Sequence, residues 1–96
     1  MVKRVLMCGG FPISRREIPK HLGDGVVIRF RESTRRSFDT TGFEKYDLVV
    51  LAINNNSHGE SQGIRNACNR RNIRYHQLHA NGAQSAAKEI LAALET

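Results

Sequence analysis

"YDLVVLAINNNSHGESQGIRNACNRRNIRY", residues 46–75, decides the fold. Residues 46–53 read as a short buried strand: from Leu48 to Ile53 every side chain is apolar, as in strands covered on both faces. Ser57-x-x-Glu60 is a capping box, in which the serine accepts from an amide three residues on while the glutamate reaches back to the serine's own amide. It places a helix from about His58 to Arg71, with Ile64, Ala67 and Cys68 facing inward. "IRYHQLHA", residues 73–80, is rich in β-formers but more polar, as an edge strand would be. Strand, helix and strand within thirty-five residues form a βαβ unit.

The same alternation extends outward. "VKRVLMC" at 2–8 and "GVVIRF" at 25–30 are further short strands bounded by turn residues. Near the C-terminus, Ala83, Ala86, Ala87, Ile90, Leu91 and Leu94 share one helical face behind an Asn81-Gly82 cap. Ser14-x-x-Glu17 also resembles a capping box, but it would put Pro19 at the fifth helical position, where the missing amide and the ring both cost the helix. A start near Ile18, with Pro19 in the first turn and Ile18 and Leu22 inward, removes the conflict. Residues 31–45 read as a loop or short helix crossing over to the third strand. Alternating strands and helices imply right-handed crossovers and a parallel sheet. The expected fold is α/β, a small flavodoxin-like or Rossmann-like three-layer sandwich with a four-stranded parallel sheet in the order 2-1-3-4, residues 1–96 forming a single domain.

Ninety-six residues suffice for one core but bury only about two-thirds of the unfolded surface, so a homodimer or higher homo-oligomer is expected. Fifteen Lys and Arg against nine Asp and Glu give a net charge of +6 and a pI near 10.0, which favours an anionic partner. Eleven of the fifteen are arginine, whose planar fork suits bidentate phosphate recognition. Cys8 and Cys68 are too few for a disulfide scaffold and fit a reducing compartment. No apolar run is long enough to span a bilayer and "MVKRVLM" lacks a signal-peptide core, so a cytoplasmic protein without membrane association is expected.

In parallel sheets ligands bind beyond the carboxyl ends of the strands, where helix N-termini present free amides. Asn54, Asn55, Asn56, Ser57 and His58 follow the third strand and fall on that edge. Three asparagines in succession are more amide than a turn requires, although each tolerates left-handed backbone. His58, in the first helical turn, meets the positive end of the macrodipole, which disfavours its protonation. Gly9 and Gly10 follow the first strand and allow close backbone approach, without completing a G-x-G-x-x-G fingerprint. Arg15 and Arg16 would stand beside them as a phosphate clamp. His79, after the fourth strand, reaches the same rim, and Asn81 and Ser85 add polar groups there.

No catalytic pairing or metal site is readable. His76 and His79, three apart on a strand, point to opposite faces, a poor chelating geometry. A phosphatase-type loop needs five residues between its cysteine and arginine; six separate Cys8 from Arg15, and Ser14 holds the required place. The chain length, the expected fold and the cysteine after strand one resemble the IIB subunits of sugar phosphotransferase systems, in which that cysteine carries phosphate. Phe11, Pro12 and Ile13 depart from the small, hydroxyl-rich loops of that group, and Cys8 also reads as a buried strand-end residue.

Asp47, the apolar strand Leu48 to Leu51, Ser57 and His58, with the Gly9-Gly10 pair, resemble a bacterial domain-of-unknown-function family of small Rossmann-like domains with a strand-loop-Ser-His motif. The resemblance implies the fold and the position of the site, and it supplies no activity. The expected function is therefore a non-enzymatic binding module for an anionic, nucleotide-like ligand at the carboxyl edge, a sensor or a sequestering protein. The alternative is a basic nucleic-acid-binding or regulatory protein using Arg29, Arg31, Arg35 and Arg36, to which Arg70, Arg71 and Arg74 add a second patch. Against it stand the absence of a helix-turn-helix or zinc-finger spacing and only six ungrouped aromatics. A phosphocysteine carrier through Cys8 is the third reading.

Overall fold

The computed structural model describes residues 2–8, 16–31, 42–52, 58–79 and 82–95. Four strands, β1 (Lys3–Cys8), β2 (Val26–Arg31), β3 (Leu48–Ala52) and β4 (Tyr75–Leu78), alternate with three helices, α1 (Ile18–Leu22), α2 (His58–Arg71) and α3 (Ala83–Glu95). A 3-10 turn, Phe43–Lys45, precedes β3. The strands form one sheet in the order β2-β1-β3-β4, and every adjacent pair is parallel. The architecture is the expected α/β sandwich of Rossmann-like or flavodoxin-like type.

Strand periodicity divides the core into two layers. On one face Val5, Met7, Leu48 and Val50 pack with Ile18 and Leu22 of α1 and with Ala86, Ala87 and Ile90 of α3. The opposite face holds Leu6, Cys8, Val49 and Leu51 against Ile64 and Cys68 of α2 and against Phe43. The two central strands therefore bury consecutive side chains, which is why their sequences lack alternation. Each such fully buried aliphatic side chain contributes about 1.5–3 kcal/mol.

β2, at the sheet edge, is built differently. Its residues alternate: Val26, Ile28 and Phe30 pack against the α1/α3 layer, whereas Val27 and Arg29 are exposed. Gly25 lies just before the strand and its carbonyl accepts from Lys3 N at 2.9 Å; the strand itself begins at Val26, one residue later than the sequence pattern suggests.

The local signals resolve as physical chemistry requires. α1 begins at Ile18 with Pro19 in its first turn, and Ile18 and Leu22 are buried. In α3 the Gly82 carbonyl accepts from Ala86 N at 2.9 Å, so Gly82 closes the first helical turn. α2 ends in a left-handed residue, Asn72 (φ 59°). Ile73 N donates to Cys68 O at 2.8 Å and Asn72 N to Asn69 O at 3.4 Å, the paired bonds of a Schellman cap. Ile73 then packs on the α2-side core, which sets the direction of the short link into β4.

Candidate functional site

β1 and β3 are neighbours in the sheet, and Cys8 is the register partner of Leu51. Their carboxyl ends are thus adjacent, and the chain leaves them in opposite directions. From β1 it proceeds to α1 on one face; from β3 it proceeds to α2 on the other. This divergence is a topological switch point, the position at which open parallel sheets form a ligand crevice. Residues 9–10 follow β1 in the chain, and residues 53–57 separate β3 from α2. Gly9, Gly10, Arg15, Asn54, Asn55, Asn56 and Ser57 themselves lie outside the described residues, as do Arg35, Arg36 and Asn81.

Of the remaining expected site residues, Arg16 is exposed just before α1, and His58 is the first residue of α2. His79 is exposed and lies one residue beyond β4, where strand alternation no longer applies. Its ring therefore approaches that of His76, the centroids 6.4 Å apart in an edge-to-face arrangement, rather than being held on the opposite face. Glu89 of α3 joins the two residues: its Oε1 lies 2.9 Å from His76 Nε2 and accepts from His79 N at 3.1 Å. This fastens the last strand to the last helix. Among the described residues no group of three His, Cys, Asp or Glu side chains is arranged to hold a metal ion.

Cys8 occupies the carboxyl end of β1 with its thiol fully buried. Burial pushes its pKa up to about 12, the nearby Arg31 pulling the other way and Cys68 adding to the rise. Cys68 is likewise raised by burial, to about 11, against the opposing charge of Arg71. Both are neutral thiols at physiological pH, and their surroundings are those of small apolar side chains in a core.

The basic residues are distributed unevenly. Arg31 is half-buried, its Cζ 5.7 Å from the centre of the Phe43 ring, and is thereby held against the core. Arg29, two residues earlier on the same face, is exposed. In the second arginine group, Arg71 pairs with Glu44 at 3.1 Å and Arg74 Nη1 donates to Ala93 O at 3.5 Å, while Arg70 is exposed. Arg65 Nε donates to Tyr75 Oη at 3.4 Å, with Cζ 5.9 Å from the ring centre.

Two large recesses lined by described residues lie toward the amino half of the sheet. One, of about 690 Å³, is formed by Val2, Arg4, Val27, Arg29, Lys45 and Tyr46. The other, of about 710 Å³, shares Tyr46 and is bordered by Lys3, Asp47, Arg71 and Arg74 among others. Asp47 has a structural role between them. Its Oδ2 accepts from Arg4 N and its own N donates to Arg4 O, both at 2.8 Å, closing the amino end of the β1–β3 pair. The acidic residue of the strand-loop-Ser-His pattern thus sits at the end of the sheet opposite the switch point. The first recess draws on three separate segments, brought together by strand register, and periodicity offers no sign of it.

The chain is a small α/β protein on an all-parallel four-stranded sheet with a switch point between its two central strands. Comparison with protein-family models, curated proteins and solved structures finds no match. Among the described residues no helix is long and apolar enough to cross a membrane.

Proposed function

We propose that the protein is a non-enzymatic module that binds an anionic, nucleotide-like ligand at the carboxyl edge of its sheet, serving as a sensor or a sequestering protein. The observation that supports this reading is the adjacency of the β1 and β3 carboxyl ends, Cys8 beside Leu51, with the following segments directed to opposite faces. Gly9 and Gly10 then give backbone approach, Arg15 and Arg16 neutralise phosphate, and Asn54 to His58 bond the polar part of the ligand. His79 completes the rim. The proposal keeps the resemblance to small Rossmann-like domains of unknown function and includes self-association as a homodimer or larger homo-oligomer. A phosphocysteine mechanism receives no support, because phosphate transfer needs an accessible thiolate and Cys8 is buried and held neutral.

Thermal unfolding in the presence of nucleoside mono-, di- and triphosphates at constant ionic strength tests the proposal. One class should raise the midpoint in proportion to the logarithm of its concentration, as mass action requires, while inorganic phosphate should act weakly. Asn55→Ala and His58→Ala should each abolish the rise without lowering the midpoint of the free protein. If no nucleotide shifts the transition, or if both variants respond like the parent, the carboxyl-edge assignment fails. Native mass spectrometry of the same samples gives the stoichiometry.

A further inference from the structure

Helices ordinarily cover both faces of a parallel sheet, and here, among the described residues, the α2 face is covered over β1 and β3, while Val27 and Arg29 of β2 are exposed. The uncovered part is the 690 Å³ recess. Val2 and Val27, 55% and 41% exposed, are the large hydrophobic residues that stand open to solvent among the described residues, and both line it. Arg4, Arg29 and Lys45 line it as well, and no acidic side chain does among the described residues. The carboxylate of Asp47, which follows the lining residue Tyr46 in the chain, accepts from the Arg4 amide. Among the described residues no ion pair engages the side chains of Arg4, Arg29 or Lys45. The trough therefore combines, among the described residues, three cations without an ion-pair partner with Val2, Val27 and Tyr46.

Register fixes the spacing of the cations. Arg4 is paired with Val27, so Arg29 lies one strand across and two residues along from it. That offset is about 8 Å from the standard strand spacings. Two like-charged groups so placed suit successive charges of a flexible polyanion. A second copy of the chain is a poor occupant, since it would bring the same three cations against these. A nucleic-acid duplex would use the cations but leave the valines idle, because its bases are stacked away from side chains on a sheet surface. Unstacked bases can use both.

We infer that this trough is a binding surface for single-stranded nucleic acid, with Arg4, Arg29 and Lys45 contacting phosphates and Val2, Val27 and Tyr46 contacting sugar and base. It is separate from the carboxyl-edge crevice and does not depend on the ligand proposed there. Of the two arginines in β2, only Arg29 belongs to it, because Arg31 is held over Phe43.

The test is fluorescence anisotropy of a short labelled oligothymidylate titrated with the whole chain over a series of KCl concentrations. The parent should bind with an affinity that falls linearly in log[salt]. Arg4→Ala/Arg29→Ala/Lys45→Ala should weaken binding and reduce the slope by about two, at ~0.7 for each phosphate of a single strand that is no longer neutralised. Lys20→Ala/Arg70→Ala/Lys88→Ala removes the same charge at exposed positions elsewhere and should leave most of the slope in place. Val27→Glu, at an exposed site that tolerates the change, should abolish binding while far-ultraviolet circular dichroism stays unchanged. Absence of binding by the parent, or equal losses in the two triple variants, overturns the surface. Competition by duplex DNA as effective as by the single strand overturns its assignment to unstacked bases.

Discussion

At the scale of single residues, the two cysteines carry the clearest linkage between structure and pH. A thiol that ionises near pH 9.0 in the unfolded chain and near 12 or 11 in the fold remains protonated in the native state after it has ionised in the unfolded one. The native state then binds more protons, so stability falls as pH rises. The sign is opposite to that of a paired carboxylate: the contribution is complete below pH 9 and is lost progressively toward the folded values. The limiting slope for one thiol is about 1.4 kcal/mol per pH unit. Urea unfolding at intervals from neutral pH to about 10.5 should show this decline. Cys8→Ala should be less stable at neutral pH but lose less on going alkaline. An identical pH dependence in parent and variant would mean that the Cys8 thiol is not shielded from water in the native state. A reading of Cys8 as a reactive centre rests on its place after strand one, whereas its reading as a buried strand-end residue agrees with a side chain that is fully buried.

At the scale of elements, the end of α2 rests on one residue in a left-handed backbone conformation that few residue types adopt. Asn72 takes the left-handed conformation at modest cost because its short polar side chain is tolerated there, whereas most residues are penalised by about 1 kcal/mol. Asn72→Gly should raise stability by a few tenths of a kcal/mol up to about 1, and Asn72→Val should lower it by at least about 1. Chemical denaturation of the two variants beside the parent measures both signs, and a Val variant as stable as the parent would refute the cap. Helix α2 is legible from Ser57-x-x-Glu60 and from Ile64, Ala67 and Cys68, and α3 from its alanine and leucine spacing, because a helix writes its buried face into local sequence. The 3-10 turn is legible only as the short helix allowed somewhere within residues 31–45. Phe43 is among the largest fully buried side chains of the protein, yet it stands in a segment without periodicity. Gly42, left-handed at φ 79°, followed at once by an aromatic residue is the one local sign that the chain turns there to insert a side chain.

At the scale of the whole molecule, the carboxyl-edge site and the basic trough differ in how they are encoded. Gly9, Gly10 and Asn54 to His58 directly follow apolar strands in the sequence, so a reading of the strand order is enough to propose them together. Arg4, Val27, Arg29, Lys45 and Tyr46 become neighbours only through the pairing of Arg4 with Val27 and the closure of Asp47 onto Arg4. Such a surface is invisible until register is known, since a slip of one residue would turn Arg29 inward and Ile28 out. The two proposals consequently separate in experiment. Variants at Asn55 or His58 address the first, variants at Arg4, Arg29 or Lys45 the second, and neither set shares a residue with the other.

The Asp47–Arg4 closure also bears on how the sheet comes into being. The first strand of the chain finds its place between partners that are made much later, Val26 and Leu48 being the register mates of Lys3 and Val5. Helices α2 and α3 can form from local contacts, but β1 gains nothing until a long loop has closed, and that entropic cost precedes its reward. The carboxylate–amide bond across 43 residues lies at the point where that loop is tied. Asp47→Ala, expected to cost about 1 kcal/mol, should therefore slow refolding about fivefold in stopped-flow measurements and leave the unfolding rate nearly unchanged. The reverse division, fast refolding and accelerated unfolding, would show that the knot is tied after the rate-limiting step. On this account a carboxylate that lines neither the carboxyl-edge crevice nor the basic trough governs how long the nascent sheet remains open.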